Sequence, residues 1–195
     1  MKAERLYILE NQERAYLEGI VEKIGDEWIL IERETEEAFP LEEFSDRVVQ
    51  VKLHDKWIKG ILMEDFTVKS DHHQYILQHE DLIRIRKTLT FSFQSWLDEL
   101  NDDSYFMFIE KLNELNFSIY DILYCHNYSS FLTGSVKSGV NFLLFDNTIH
   151  ICAVQHHFTY DYHNKNDRFE FTLNTGKRMI LQEIHRPEQH KKFEE

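Results

Sequence analysis

The sequence predicts an α+β fold in two parts: a helix and a small curled β-barrel over residues 1–88, then an α+β unit of three helices and a four-stranded antiparallel meander over residues 89–195. Three observations carry this reading. A short pattern occurs twice, 41 residues apart, as Tyr16-Leu17-Glu18-Gly19-Ile20-Val21 and Trp57-Ile58-Lys59-Gly60-Ile61-Leu62. In each copy an aromatic residue precedes a glycine by three positions, and a glycine inside an alternating apolar run marks a strand that bends or admits a neighbouring backbone. The spacing of apolar residues is two from Ala15 to Arg86, becomes three to four after Thr90, and returns to two from Gly139.

Taken in order, Leu6 and Leu9 put apolar groups on one side of a helix over residues 1–14. Strands are expected at Tyr16–Lys23, Trp28–Arg33, Arg47–Leu53, Trp57–Glu64, Gln74–Gln78 and Leu82–Arg86, separated by Gly25-Asp26, His54-Asp55-Lys56 and Ser70-Asp71-His72. Ser92 then opens an amphipathic helix through Trp96 and Leu97, and Asp102/Asp103 cap a second whose broad apolar face is Tyr105, Phe106, Phe108, Ile109, Leu112 and Leu115. Ser118-Ile119-Tyr120-Asp121 has the form of a capping box and predicts a short third helix toward Tyr124. Four strands follow: Val140–Phe145, Thr148–Tyr162, Arg168–Leu173 and Arg178–Ile184. Trp28, Trp57 and Trp96 are read as core anchors.

The segment Ile76-Leu77-Gln78-His79-Glu80-Asp81-Leu82-Ile83-Arg84-Ile85 reads as strand, tight turn, strand. Together with the two glycine strands, it makes residues 15–87 resemble an SH3-like barrel. The aromatic groove motif of proline-recognising SH3 domains is missing, so the resemblance implies a fold and no binding residues.

Composition bounds the function. Hydrophobic residues make up 42% and aromatics 14%, with six glycines and two prolines, the profile of a folded protein with a substantial core. No apolar run is long enough to span a membrane, and the N-terminus lacks the apolar segment of a signal peptide, so a cytoplasmic location is expected. The two cysteines, Cys125 and Cys152, fit a reduced pair in that compartment. Net charge is −13, shared between residues 1–87 (20 acids, 13 bases) and the remainder (15 acids, 9 bases). Such a balance argues against nucleic acid or an anionic membrane as partner. The basic residues that do concentrate are Lys52, Lys56, Lys59, Arg84, Arg86 and Lys87. The acidic run from Glu32 to Glu43 is a solvated face or a device that steers a basic partner.

Candidate chemistry gathers in the meander. His156, His157, Asp161 and His163 are candidate ligand-binding or acid–base residues, because histidine titrates near neutrality. On a strand His156 and His157 face opposite sides, and the competing reading packs His156, Phe158, Tyr160 and Tyr162 against the helices. Cys125, His126, His150 and Cys152 are zinc-ligand types, two from each of two segments, although their spacing matches no common zinc signature. No cofactor is expected, zinc at these four residues being the one candidate. Asn174-Thr175-Gly176-Lys177-Arg178 resembles part of a phosphate loop but lacks the earlier glycine and the following helix, and reads as a hairpin turn. No complete catalytic set is present. The expected role is a non-catalytic protein–protein interaction module, the alternative being an enzyme or metal-binding protein that uses the histidine-rich meander. Open meander edges are compatible with a homodimer.

Overall fold

The computed structural model describes residues 3–71 and 73–185. In chain order its regular elements begin with α1 (Ala3–Glu10), β1 (Tyr16–Ile24), β2 (Glu27–Glu32), β3 (Ala38–Pro40), β4 (Val48–Leu53), β5 (Lys56–Leu62), β6 (Thr67–Lys69), β7 (Gln74–Ile76) and β8 (Leu82–Arg86). They continue with α2 (Phe91–Glu99), α3 (Asp102–Glu114), β9 (Ile122–His126), β10 (Lys137–Asp146), β11 (Ile151–Tyr160), β12 (Lys165–Leu173) and β13 (Arg178–His185). The chain divides into two compact units. One is Arg14–Thr88; the other joins the N-terminal segment up to Glu13 to the chain from Leu89 onward.

The Arg14–Thr88 unit is one antiparallel sheet in the order β3-β2-β1-β8-β4-β5-β6-β7. The expected SH3-like barrel is not formed. The sheet ends on β3 and β7, which do not pair with each other, so it stays open. The class is accordingly mainly β, two antiparallel sheets with a few helices, in place of α+β. The physical reason lies in non-local pairing: β8 returns to the middle of the sheet, hydrogen-bonded to β1 on one side and β4 on the other. Period-two spacing says which residues share a face and leaves strand neighbours undefined. The acidic connection holds the short edge strand β3 and a 3-10 turn, Leu41–Phe44, that buries both of its end residues. The core of this unit is aliphatic, with Val21, Leu30, Val49, Val51, Leu62, Ile83 and Ile85 all buried.

Both repeated glycines sit where a neighbouring strand closes in. A Cβ on Gly19 would lie 2.3 Å from the Ile31 carbonyl oxygen and 2.7 Å from Leu30 Cδ1. A Cβ on Gly60 would meet Val68 Cγ1 at 2.6 Å and the Lys69 carbonyl oxygen at 2.7 Å.

In the other unit, α1, α2 and α3 cover one face of the five-stranded antiparallel sheet β13-β12-β11-β10-β9. Helix α1 belongs here, not with the sheet it precedes. Arg5 is buried, donates through Nη1 and Nη2 to the carbonyls of Leu97 and Leu100 at the C-terminus of α2 (3.0 and 2.8 Å), pairs with Asp102, and lies 4.3 Å from the centre of the Tyr105 ring. A cation at a helix C-terminus satisfies carbonyls that have no partner within the helix. The helix cap of α3 is Asn101, whose Oδ1 accepts from the Ser104 amide (2.8 Å), with Asp102 and Asp103 in the first turn. The expected third helix is only the 3-10 turn Ile119–Asp121. Its capping box forms, and the chain then enters β9, a fifth strand beside the meander. The core between helices and sheet is aromatic: Phe93, Trp96, Phe108, Phe145, Phe169 and Phe171, each contributing roughly 1.5–3 kcal/mol by burial. No helix of the described residues is long and apolar enough to cross a membrane.

Replacing Gly19 or Gly60 by alanine is expected to destabilise the Arg14–Thr88 unit by about 2 kcal/mol or more, because the new methyl meets backbone that cannot move aside. Urea denaturation followed by tryptophan fluorescence checks this, Trp28 and Trp57 both lying in that unit.

Candidate functional site

Two constellations of polar side chains stand out, one buried in the larger unit and one on the outer face of the Arg14–Thr88 sheet. The first surrounds His156 on β11. Its ring is 1% exposed and stacks on Phe169, 4.5 Å between centres. The Trp96 indole Nε1–H of α2 donates to His156 Nδ1 at 2.9 Å. The Asn141 amide of β10 is oriented by the Ser129 backbone N–H, which donates to Asn141 Oδ1 (3.0 Å), so Asn141 Nδ2 donates to the same Nδ1 at 3.1 Å. An indole N–H has no acceptor role, so Nδ1 carries no proton and the imidazole is the neutral Nε2–H form. Nε2–H then donates to Asp167 Oδ1 on β12 at 2.9 Å.

Asp167 is 1% exposed and collects further donors: Tyr160 Oη on Oδ1 (2.6 Å), and Ser104 Oγ (2.6 Å) and Asn101 Nδ2 (3.4 Å) on Oδ2. Burial pushes its carboxyl up, but the donors from His156, Ser104 and Tyr160 outweigh that and hold it below the usual carboxylate range. Burial, then the Asp167 charge, push the Tyr160 phenol up. The network extends to Ser129 Oγ, which lies 2.6 Å from both Glu99 Oε2 and Asn127 Oδ1. His156 thus has both ring nitrogens hydrogen-bonded, in a ring that is almost fully buried.

The remaining candidate residues do not join it. His157 lies on the opposite face of the sheet, with Nε2 3.6 Å from Glu170 Oε1 and no hydrogen bond. Glu170 is held below the usual carboxylate range by its hydrogen bond from Arg178, against the effect of burial, and by the charge of Arg168. Asp161 and His163 are exposed in the turn after β11, where Asp161 Oδ1 accepts the His163 and Asn164 amides (2.7 Å each). Tyr162, expected inside, is 76% exposed beyond the end of the strand. Cys125 and Cys152 are free and face the helix-covered core, where burial pushes their thiols up to about 12 and about 11. His126 stacks instead between Tyr128 and Phe131, and His150 sits in the turn before β11. Among the described residues no group of three or more His, Cys, Asp or Glu is placed to hold a metal ion. Asn174–Lys177 is the turn joining β12 to β13.

Asp167 was the residue hidden from the sequence reading. It carried a signal nonetheless: it falls in phase with Phe169, Phe171 and Leu173, a charged residue on the apolar side of a strand.

The second constellation lies on the outer face of the Arg14–Thr88 sheet, half-buried at its centre and exposed at Lys52, Lys59, Lys69, Val48 and Ile61. Cross-strand partners point to the same side. Glu18 faces Arg84, Arg84 faces Gln50, and Gln50 faces Lys59; Lys52 faces Trp57, and Ile61 lies between Val48 and Lys69. Trp57, expected in a core, is part of this surface. The Arg84 guanidinium lies between the Tyr16 and Trp57 rings, 4.4 and 4.3 Å from their centres. Its Nε and Nη2 donate to Gln50 Oε1 at 2.9 and 2.8 Å, which locks the charge flat on the sheet. Arg86 belongs to the same face, facing Tyr16, whereas Lys56 and Lys87 do not. The acid within this block, Glu18, is bound by Arg33 at 2.9 Å.

A family model for a protein of unknown function, DUF2777, matches residues 3–183. The chain is also similar to "Uncharacterized protein YisN" of Bacillus subtilis (strain 168), 27% identical over 177 residues that cover 91% of this chain and 90% of the relative. No solved structure matches.

Replacing Asp167 by asparagine is expected to cost about 3 kcal/mol, since one amide oxygen cannot serve hydroxyl, imidazole and amide donors together. Asp161→Asn, in an exposed turn that asparagine also suits, is expected to stay within about 0.5 kcal/mol; chemical denaturation of both variants measures the difference. The depressed Asp167 carboxyl also sets a pH dependence. Its stabilisation is complete above the unfolded carboxylate value near 4 and is lost as pH falls through the lower folded value. Melting temperature followed downward from about pH 5 is expected to fall less steeply in Asp167→Asn than in the wild type.

Proposed function

This chain belongs to the DUF2777 family, and we propose that it is a non-catalytic protein–protein interaction module whose docking surface is the outer face of the Arg14–Thr88 sheet. One observation carries the reading. Lys52, Lys59, Lys69 and the stacked Arg84 share a face with Val48 and Ile61, which are 46% and 45% exposed, in a chain of net charge −13. Cations interleaved with exposed aliphatic side chains fit an acidic protein segment that also carries apolar residues. Carboxylates then meet the lysines while aliphatic groups cover Val48 and Ile61. A phosphate backbone offers nothing to those two residues, and the overall negative charge opposes it. The sealed His156–Asp167 network supports the non-catalytic half of the proposal, because the best-formed pair of titratable groups is closed to solvent.

The test is a titration of the full chain with a 12-residue peptide alternating glutamate and valine, in parallel with a 15-nucleotide oligothymidine. The peptide is expected to bind with a salt-dependent affinity that falls at least tenfold in Lys52→Glu/Lys59→Glu, both exposed positions that leave the core intact. Binding of the oligothymidine in place of the peptide, or of neither, overturns the proposal.

A further inference from the structure

The same strands carry a different feature on their other side. Where Gln50, Lys52, Trp57 and Lys59 point outward, the alternate residues Val51, Leu53 and Ile58 point inward. There they line a cleft of about 620 Å³ with Val68 and Tyr75. Its size falls within the roughly 300–1,000 Å³ of small-molecule sites.

The walls and the mouth differ in chemistry. Val51 and Val68 are buried, and Leu53, Ile58 and Tyr75 are half-buried. The Tyr75 hydroxyl donates to Asp81 Oδ1 at 3.0 Å, so its polar end is occupied and its ring adds carbon surface to the wall. At the mouth stand the exposed side chains of His54, Asp55 and Lys56 from the β4–β5 turn and His73 from the β6–β7 connection. Three of these four present N–H donors, one of them a fixed positive charge, against a single carboxylate. An apolar slot with a donor-rich mouth suits a molecule with an aliphatic body and an anionic end.

We infer that this cleft is a binding site for a single-chain amphiphile, an aliphatic tail in the slot and a carboxylate head at the Lys56, His54 and His73 rim. It is separate from the outer docking face and stands or falls independently of it.

Calorimetric titration of the full chain with decanoate, below its micelle concentration, tests the inference. Saturable binding at one site is expected. Ile58→Trp, which fills the slot, is expected to weaken binding at least tenfold while its circular dichroism and melting curve match the wild type. Lys56→Glu, at an exposed position that cannot unfold the chain, is expected to weaken decanoate severalfold and leave 1-decanol unchanged. Absence of saturable binding, or binding that survives both substitutions, overturns the site. Equal affinity for decanoate and 1-decanol overturns the assignment of a carboxylate head.

Discussion

One buried carboxylate organises the larger unit. Taking Asp167 out of water costs several kcal/mol unless donors replace its hydration, and here the donors come from separate elements: His156 and Tyr160 on β11, Ser104 on α3, and Asn101 at its cap. Satisfying the carboxylate therefore fixes where α3 sits on the sheet. The same logic passes through the imidazole. Trp96 on α2 and Asn141 on β10 both point donors at Nδ1, so placing α2 and completing the hydrogen bonding of β10 are one event. Around this polar knot the packing is aromatic, with Trp96, Phe108 and Phe169 in edge and tilted contacts. Aromatic cores leave many alternative packings of similar area; a polar network that is satisfied in only one arrangement removes them.

The residue types around His156 are those of many hydrolytic sites, and here each polar atom of the imidazole is held by a partner from another element. A general base needs a free lone pair within reach of a substrate. His156 has spent its lone pair on an indole and an amide and its proton on Asp167, all within a ring 1% exposed. The surface of the chain is arranged otherwise. In the Arg14–Thr88 sheet, alternation along β4 and β5 separates a cationic, partly aliphatic exterior from an apolar interior, so a single pair of strands supplies both an exposed platform and the wall of a cleft. Stacking between Tyr16 and Trp57 holds the half-buried Arg84 guanidinium within that platform.

Much of the local structure was legible. Period-two runs marked the long strands, the Ser118–Asp121 capping box marked the 3-10 turn after α3, and the paired glycines marked positions of close backbone approach, whereas α2 starts after Thr90 without a side-chain cap and α3 is capped by Asn101. Where expectation and structure part, the cause is a specific competing interaction. Ser118 and Asp121 form the capping box that the sequence announces, yet the chain leaves after one 3-10 turn because Tyr124 to His126 find hydrogen-bonding partners on β10. Trp57 reads as a core anchor by size, but its position in phase with Lys59 and Ile61 sends it to the outer face, where the Arg84 guanidinium covers it. Tyr162 misses the interior because β11 ends at Tyr160 and Asp161 captures the following amides.

By itself the sequence determined the longer strands, the helices α2 and α3 and which side chains share a face, since these follow from φ/ψ preference and the 2.0 and 3.6 residue periods. Only the tertiary structure decided that β8 lies between β1 and β4, that the sheet remains open between β3 and β7, that α1 joins the unit 80 residues further along the chain, and that His156 meets Asp167. Backbone hydrogen-bonding groups are identical at every residue, so a strand carries no label for its neighbour. The choice is made by burial and by polar groups that are satisfied only when distant segments meet.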